Sequence, residues 1–397
     1  MRWRTPAPPL ARSEPDDKLK PGGRATEDAA GDEWKRNRRC LDRCGQWVLA
    51  GQTRAMLAFA PSMRIEHIRQ NLRILGAKPC HEERVLRAWM QALPLDSGRC
   101  PPQQFFSLQV RTALPALALE LKALAHLHAE ETGEDGSSRL LVRLADGQTV
   151  ESVLLPRGGL CVSTQVGCAV GCVFCLTGRD GLQRQLGSAE IVAQVVLARA
   201  RRAVRKVVFM GMGEPAHNMD NVLEAIELLG TAGGIGHKNL VFSTVGDRRV
   251  FERLPLGTVK PALALSLHTT HAELRRKLMP RAPPIDPAEL VELGERYARA
   301  TGYPIQYQWT LLEGVNDRDE ELDGIVKLLA GKYAVMNFIP FNTVEGLGFS
   351  RPSRERAEAM SLYLYRHGIL AKLRQSAGQD IEGGCGQLRA RTAGLLA

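Results

Sequence analysis

Between residues 63 and 128 the apolar positions recur at steps of three and four: Ile65, Ile68, Leu72 and Leu75, then Val85, Leu86, Trp89 and Met90, then a Leu-rich run from Leu117 to Leu127. That spacing keeps one face of a helix apolar, so it predicts a small group of amphipathic helices, here studded with Arg. From Leu140 to Leu155 the pattern changes to two apolar-rich runs on either side of Asp146-Gly147. An Asp-Gly step between two such runs is a strong turn signal, which predicts a β-hairpin. Beyond Gly158, short runs dense in Val, Leu and Ile recur at Leu160–Thr164, Lys206–Met212, Asn239–Thr244, Pro261–Leu267, Ile305–Leu311 and Val335–Pro340, with helical stretches between most of them. Strands that are apolar throughout belong to a parallel sheet covered on both faces. Six of them joined by right-handed crossovers predict an α/β fold, an incomplete parallel (β/α)6 barrel. In such a barrel the ligand residues collect at the C-terminal strand ends. Here those ends read Ser163-Thr164-Gln165, Gly211-Met212-Gly213-Glu214, Ser243-Thr244, Ser266-Leu267-His268 and Pro340-Phe341-Asn342.

Residues 1–55, rich in Pro, Gly, Arg and Asp, carry neither period and read as a flexible basic extension that chemistry does not need. Residues 56–135 then form a helical accessory domain, and 136–397 the barrel with its preceding hairpin and a C-terminal segment. With 44% apolar and 24% charged residues the chain has the material for a packed core. No window approaches the roughly 18 uninterrupted apolar residues of a membrane span. The first forty residues lack an apolar stretch and are broken by Glu and Asp, unlike a signal or transit peptide, so the chain reads as cytoplasmic. Lys and Arg number 53 against 43 Asp and Glu, a formal charge of +10. That excess favours a polyanionic partner, although many basic proteins bind none.

Nine cysteines are too few for a disulfide scaffold, and their odd number in a reducing compartment points to metal binding or catalysis. Cys168, Cys172 and Cys175 form Cys-x3-Cys-x2-Cys in a glycine-containing loop after the first barrel strand. Three thiolates on one short loop suit a 4Fe–4S cluster whose fourth iron stays open to an external ligand. A zinc site is the competing reading, and it would want a fourth protein ligand that the sequence does not offer. Cys385 stands among glycines in Gly383-Gly384-Cys385-Gly386, a flexible setting, and Cys161 ends the first strand; burial as apolar thiols is the plain alternative for both. Cys40, Cys44, Cys80 and Cys100 read as ordinary thiols. The cations from Arg199 to Lys206 read as the end of a helix starting at Ser188, where they complement its dipole.

The cluster motif followed by Gly211-Met212-Gly213-Glu214-Pro215 resembles the radical S-adenosylmethionine (radical SAM) superfamily. Leu160-Cys161-Val162-Ser163-Thr164-Gln165-Val166-Gly167-Cys168, Phe174-Cys175-Leu176-Thr177-Gly178, Ser266-Leu267-His268, Leu278-Met279-Pro280, Gly314-Val315-Asn316-Asp317, Ile339-Pro340-Phe341-Asn342 and Gly384-Cys385-Gly386-Gln387-Leu388 resemble, more narrowly, the RlmN/Cfr family of RNA adenine methyltransferases. The resemblance spans about residues 140 to 390, and the helical segment is compatible with that family's accessory domain, so residues 56–135 are expected to bind RNA, their Arg-bearing surface presenting fixed cations to phosphates.

The resemblance implies a methyl group added to adenine carbon 2 of ribosomal or transfer RNA, with carbon 8 or another RNA as the alternative. Such carbons are not nucleophiles, so a radical route is required. Two S-adenosylmethionine molecules serve each turnover: one methylates Cys385, and the other is cleaved reductively to a radical that activates the S-methyl group for addition to the base. Cys161 then resolves the covalent adduct, leaving a Cys161–Cys385 disulfide. The same resemblance gives Gly213 and Glu214 the methionine amino group, Ser243, Ser266, Leu267 and His268 the carboxylate and ribose, Asn342 the adenosyl part, and Glu151 the role of proton acceptor. A solvated strand residue is the plain alternative for Glu151. Implied partners are RNA and an electron donor such as flavodoxin or ferredoxin, with the protein a monomer. The sequence departs from the family at Val245-Gly246-Asp247, Thr269-Thr270-His271 and Arg281-Ala282-Pro283-Pro284, which are substrate-facing loops, and in a shorter spacer from Glu151 to Cys161. Two other classes compete. A radical enzyme acting on a small molecule would not need Cys161 and Cys385, and a silent RNA-binding protein would not keep all three cluster cysteines.

Overall fold

The computed structural model describes residues 62–344 and 346–389. The extension at 1–55, with its Cys40 and Cys44, lies outside them. The described part opens with helices α1 (Ile65–Ile74), α2 (Pro79–Met90), α3 (Pro102–Phe105) and α4 (Leu108–Ala123). Their periodic apolar residues are buried as the spacing predicts, and Ile65, Leu72, Val85, Trp89, Met90 and Leu121 join one continuous core with the barrel. Ser107 caps α4, its Oγ accepting the Val110 N–H at 3.3 Å.

The helical reading runs too far, because α4 ends at Ala123 and Ala125–Thr132 is strand β1. The tract Ala-His-Leu-His-Ala-Glu-Glu-Thr alternates more with less exposed positions at period two, which a strand accommodates and a helix does not. β1 pairs antiparallel with β2 (Ser138–Leu144), and β2 with β3 (Thr149–Leu155), across the Asp146-Gly147 turn, where Gly147 takes φ +85°. β3 then pairs antiparallel with β4 (Gly159–Cys161), so the hairpin extends the barrel's own sheet.

From β4 onward the sheet is parallel through β7 (Lys206–Phe209), β8 (Leu240–Thr244), β9 (Ala262–Ser266), β10 (Ile305–Leu311), β11 (Ala334–Pro340) and β12 (Ala371–Leu373). The connecting helices are α5 (Ser188–Arg199), α6 (Met219–Gly230), α7 (Arg248–Arg253), α8 (Ala272–Leu278), α9 (Pro287–Thr301), α10 (Asp319–Leu329) and α11 (Arg354–Arg366). All six expected strands are present. β12 is a seventh, too short to register as an apolar run, and it leaves the sheet an open edge opposite β1. A separate antiparallel pair, β5 (Gln165–Gly167) with β6 (Leu182–Gln185), brackets the loop that carries the three cysteines. Arg199 does end α5, as expected; of the two expectations for Lys206, the strand run Lys206–Met212 holds, because Lys206 lies beyond the helix and begins β7. Among the described residues no helix is long and apolar enough to cross a membrane.

Asn316, from the Gly-Val-Asn-Asp motif, pins the strand ends that carry the site. Its fully buried amide donates to the His268 carbonyl at 2.7 Å and the Thr310 carbonyl at 2.8 Å, while its Oδ1 accepts the Leu312 N–H at 2.8 Å. Removing it strands three backbone groups, two of them buried and one partly so, and Asn316→Ala should cost about 3 kcal/mol, read as a lower denaturant midpoint by circular dichroism.

Candidate active site

The loop from Cys168 to Cys175 is held at several points. Cys168 N–H donates to the Gly181 carbonyl at 3.0 Å, Val173 N–H to Leu278 at 3.0 Å, and Leu176 N–H to the Gly386 carbonyl at 2.8 Å. Gly171 takes φ +64°, and a side chain at Gly178 would collide with its Cα at 2.8 Å, so the loop closes only with glycine at both positions. All three cysteines pack against an apolar cluster of Val170, Phe174, Val245, Leu278, Met279, Leu312 and Phe341. Burial, reinforced by neighbouring acidic groups, pushes the Cys168 thiol up to about 12 and the Cys172 thiol well above its ordinary value. Each of these two thiols also feels the Cys175 thiol.

This set fits an iron–sulfur cluster. It offers soft ligands on a short loop, an apolar surround that limits water, and thiols whose negative form wants compensating positive charge. Among the described residues no three His, Cys, Asp or Glu side chains converge as a single metal ion requires. A cube that meets one thiolate at each of three corners makes no such demand.

The residues expected at the cofactor lie around that loop. Gly213 takes φ +103°, and a side chain there would meet Gln165 at 2.6 Å. Glu214 follows, buried, with Oε1 accepting Ala216 N–H at 3.0 Å and Oε2 accepting Val245 N–H at 2.9 Å. Burial pushes its carboxyl up to about 7 against the pull of hydrogen bonds from Ala216, Thr244 and Val245. Ser243 and Ser266 are half-buried at the ends of β8 and β9, and Leu267 is buried behind them. His268 sits at φ +61°, its ring edge-on to Phe174 with centroids 4.9 Å apart. Its Nδ1 accepts the Thr310 N–H at 2.9 Å, and burial, then the nearby Arg275 charge, lowers it to about 3, so the ring stays neutral.

Cys161, on β4, is buried, and burial together with the adjacent Cys385 thiol raises it far above the ordinary thiol range. Cys385 presents surface to solvent, yet the protein crowding its thiol raises that too, against the opposing pull of Arg374. Two residues far apart in sequence are thus brought to one place. Asn342 helps to hold them there: its Nδ2 donates to the Cys385 carbonyl and to Ser376 Oγ, both at 2.9 Å, and its buried Oδ1 has no partner among the described residues.

Glu151 is fully buried, unlike a solvated strand residue. Arg139 Nη1 donates to its Oε1 at 3.1 Å and the Arg389 N–H to its Oε2 at 2.9 Å. Glu151 therefore touches the C-terminal segment that carries Cys385. Sequence reasoning missed Arg139, one of two cations in the apolar run of β2 and the buried one. It also missed Arg275, buried in α8, whose guanidinium donates to the Val245 and Ser266 carbonyls and feels Cys172 and Glu214.

Residues 162–326 match the model of the radical SAM superfamily. A protein named "Probable RNA methyltransferase" from Aromatoleum aromaticum is 80% identical over 83% of this chain and 93% of its own length. Another of that name, from Pseudomonas aeruginosa, is 68% identical over 83% of this chain and 96% of its own. The crystal structure of a radical SAM methyltransferase from Sphaerobacter thermophilus superposes with a TM-score of 0.73 at 33% identity, covering 84% of this chain and all of that one.

Proposed function

The chain belongs to the radical SAM RNA methyltransferases, and on that premise we propose that it methylates a ring carbon, carbon 2 before carbon 8, of an adenine in ribosomal or transfer RNA through an S-methylcysteine at Cys385. The observation that carries this reading is the nearness of Cys161 and Cys385 outside the cluster loop: Gly383, two residues before Cys385, lies against Val153, which pairs with Cys161 on the ladder. A radical enzyme acting on a small molecule needs three cysteines and has no use for this second pair.

Cys168, Cys172 and Cys175 would hold a 4Fe–4S cluster, and Gly213, Glu214, Ser243, Ser266, Leu267, His268 and Asn342 would line the space for S-adenosylmethionine. When bound, these groups supply an electrophilic methyl group and, with an electron from flavodoxin or ferredoxin, a carbon-centred radical. Cys385 accepts the methyl carbon as a thiolate and carries it to the base. The glycines beside it give the loop the freedom for that movement. Cys161 closes on Cys385 to release the product, and the resulting disulfide is reduced before the next turnover. Glu151 takes the displaced ring proton, with Arg139 and the Arg389 N–H fixing the carboxylate. Neutral His268 adds no charge to the pocket. The protein works as a cytoplasmic monomer.

Mass mapping of methyladenosines in total RNA tests the reading, comparing cells that lack the protein with cells that overproduce it. The expected result is loss of 2-methyladenosine from a defined site in ribosomal or transfer RNA and its gain on overproduction. An unchanged inventory of ring-methylated adenosines would overturn it.

A further inference from the structure

Strand register places a second group of side chains on the face of the sheet that carries Cys161. Residues paired across parallel strands share a face, and so do alternate residues along one strand. Cys161 pairs with Val208, Val208 with Val241 and Val241 with Ala262. Ser266, in step with Ala262, pairs with Gln308, Gln308 with Asn337, and Asn337 with Lys372. Lys206, two residues before Val208, and Arg374, two after Lys372, lie on this face as well. Arg374 stays on the ladder through its N–H bond to the Phe338 carbonyl at 2.8 Å.

The sheet curls enough to bring these cations together. Lys206 is half-buried, and burial, then the Arg374 and Lys372 charges, depress its ammonium. Arg374 in turn feels the Cys385 thiol. Among the described residues none of the three cations makes an ion pair. Asn337, only 2% exposed in the same row, has an Nδ2 with no acceptor. Lys372 and Arg374 are exposed and solvated, but the half-buried Lys206 ammonium without an acid partner and the buried, unused Asn337 donor beside them form an arrangement that folding alone does not reward. Five arginines of the helical segment differ. Arg69 and Arg73 are paired with Glu82, Arg87 with Glu83 and Arg64 with Glu224, while Arg84 lies over the Phe105 and Phe106 rings.

We propose that Lys206, Lys372, Arg374 and Asn337 form a phosphate subsite on the inner face of the barrel, at its open β12 edge, which takes the RNA phosphodiester backbone next to the target adenine. The inference rests on the RNA reading above and adds where the substrate's backbone lies. Cations climbing β12 toward Cys385 position the strand without reading its sequence, while the open edge gives a polymer lateral entry that a closed barrel would deny it.

The test compares cluster-loaded wild-type protein with a Lys206→Gln/Lys372→Gln double variant. Anisotropy of a labelled short single-stranded RNA is measured across a salt series, and S-adenosylmethionine binding by equilibrium dialysis. Arg374 is left intact because it also faces Cys385. The double variant should bind RNA about tenfold or more weakly, with the slope of log affinity against log salt reduced by about 0.7 per lost cation. S-adenosylmethionine binding should be unchanged. A Lys206→Arg/Lys372→Arg variant should recover the wild-type slope, which a folding defect would not. Arg296→Gln, an exposed cation on α9, should bind as wild type does. If the double variant bound RNA with the wild-type affinity and slope, or lost S-adenosylmethionine instead, this subsite would be overturned and the RNA reading would stand. Wild-type protein without salt-dependent affinity for RNA would overturn both.

Discussion

Cys161→Ala should turn the protein into one that finishes its reaction joined to RNA. Cys385 remains to accept the methyl carbon and carry it to the base, but the thiol that resolves the adduct is gone. The product should migrate as a nuclease-sensitive upward shift on a denaturing gel, and free methylated RNA should fall to background. Cys385→Ala should retain its iron and give neither product nor crosslink, because the carrier of the methyl group is missing. The asymmetry follows from placement: Cys161 is fixed within β4, whereas Cys385 sits in a glycine-bounded turn outside any strand or helix. Normal turnover by Cys161→Ala, or a crosslink formed by Cys385→Ala, would refute the assignment of the two thiols.

Much of this was legible in the sequence because it is local. Apolar runs of strand length between helical stretches specify a parallel sheet, and Cys-x3-Cys-x2-Cys specifies its own loop. The exceptions fall where tertiary context decides. His126, Leu127 and His128 continue the apolar rhythm of α4 on paper, yet the edge of β2 offers them a partner and they become strand. β12 has only three residues, and the ladder with β11 defines it.

The site was legible in its parts and not in its couplings. Cys161 and Cys385 are 224 positions apart, and only the return of the chain after β12 makes them neighbours. Asn342 was expected to touch cofactor alone, but its Nδ2 also holds the Cys385 turn. Glu151 has nothing nearby in sequence to mark it, since its partners Arg139 and Arg389 come from another strand and from the far end of the chain. Lys206 reads in the sequence both as the end of a helix and as the first residue of a strand, and strand register decides for the strand and its inner face.

Replacing any one of Cys168, Cys172 and Cys175 with alanine should remove the cluster and with it all reductive cleavage of S-adenosylmethionine. Anaerobically purified wild-type protein should be brown with about four irons per chain, and each variant should hold close to none. Among the described residues no other thiol stands on the cluster loop to substitute. Cys161 is fixed on β4 against Cys385, and Cys80 and Cys100 belong to the helical segment, so Cys80→Ser should keep the full iron content as a control. The loss should be complete rather than graded, because a two-thiol site would leave a corner of the cube uncompensated within an apolar surround. The protein around it should persist: the main core is continuous without the loop, so circular dichroism of the variants should match that of the wild type. One zinc per chain with no visible absorbance in the wild type would overturn the cluster, and iron retained by all three variants would show that the ligands lie elsewhere.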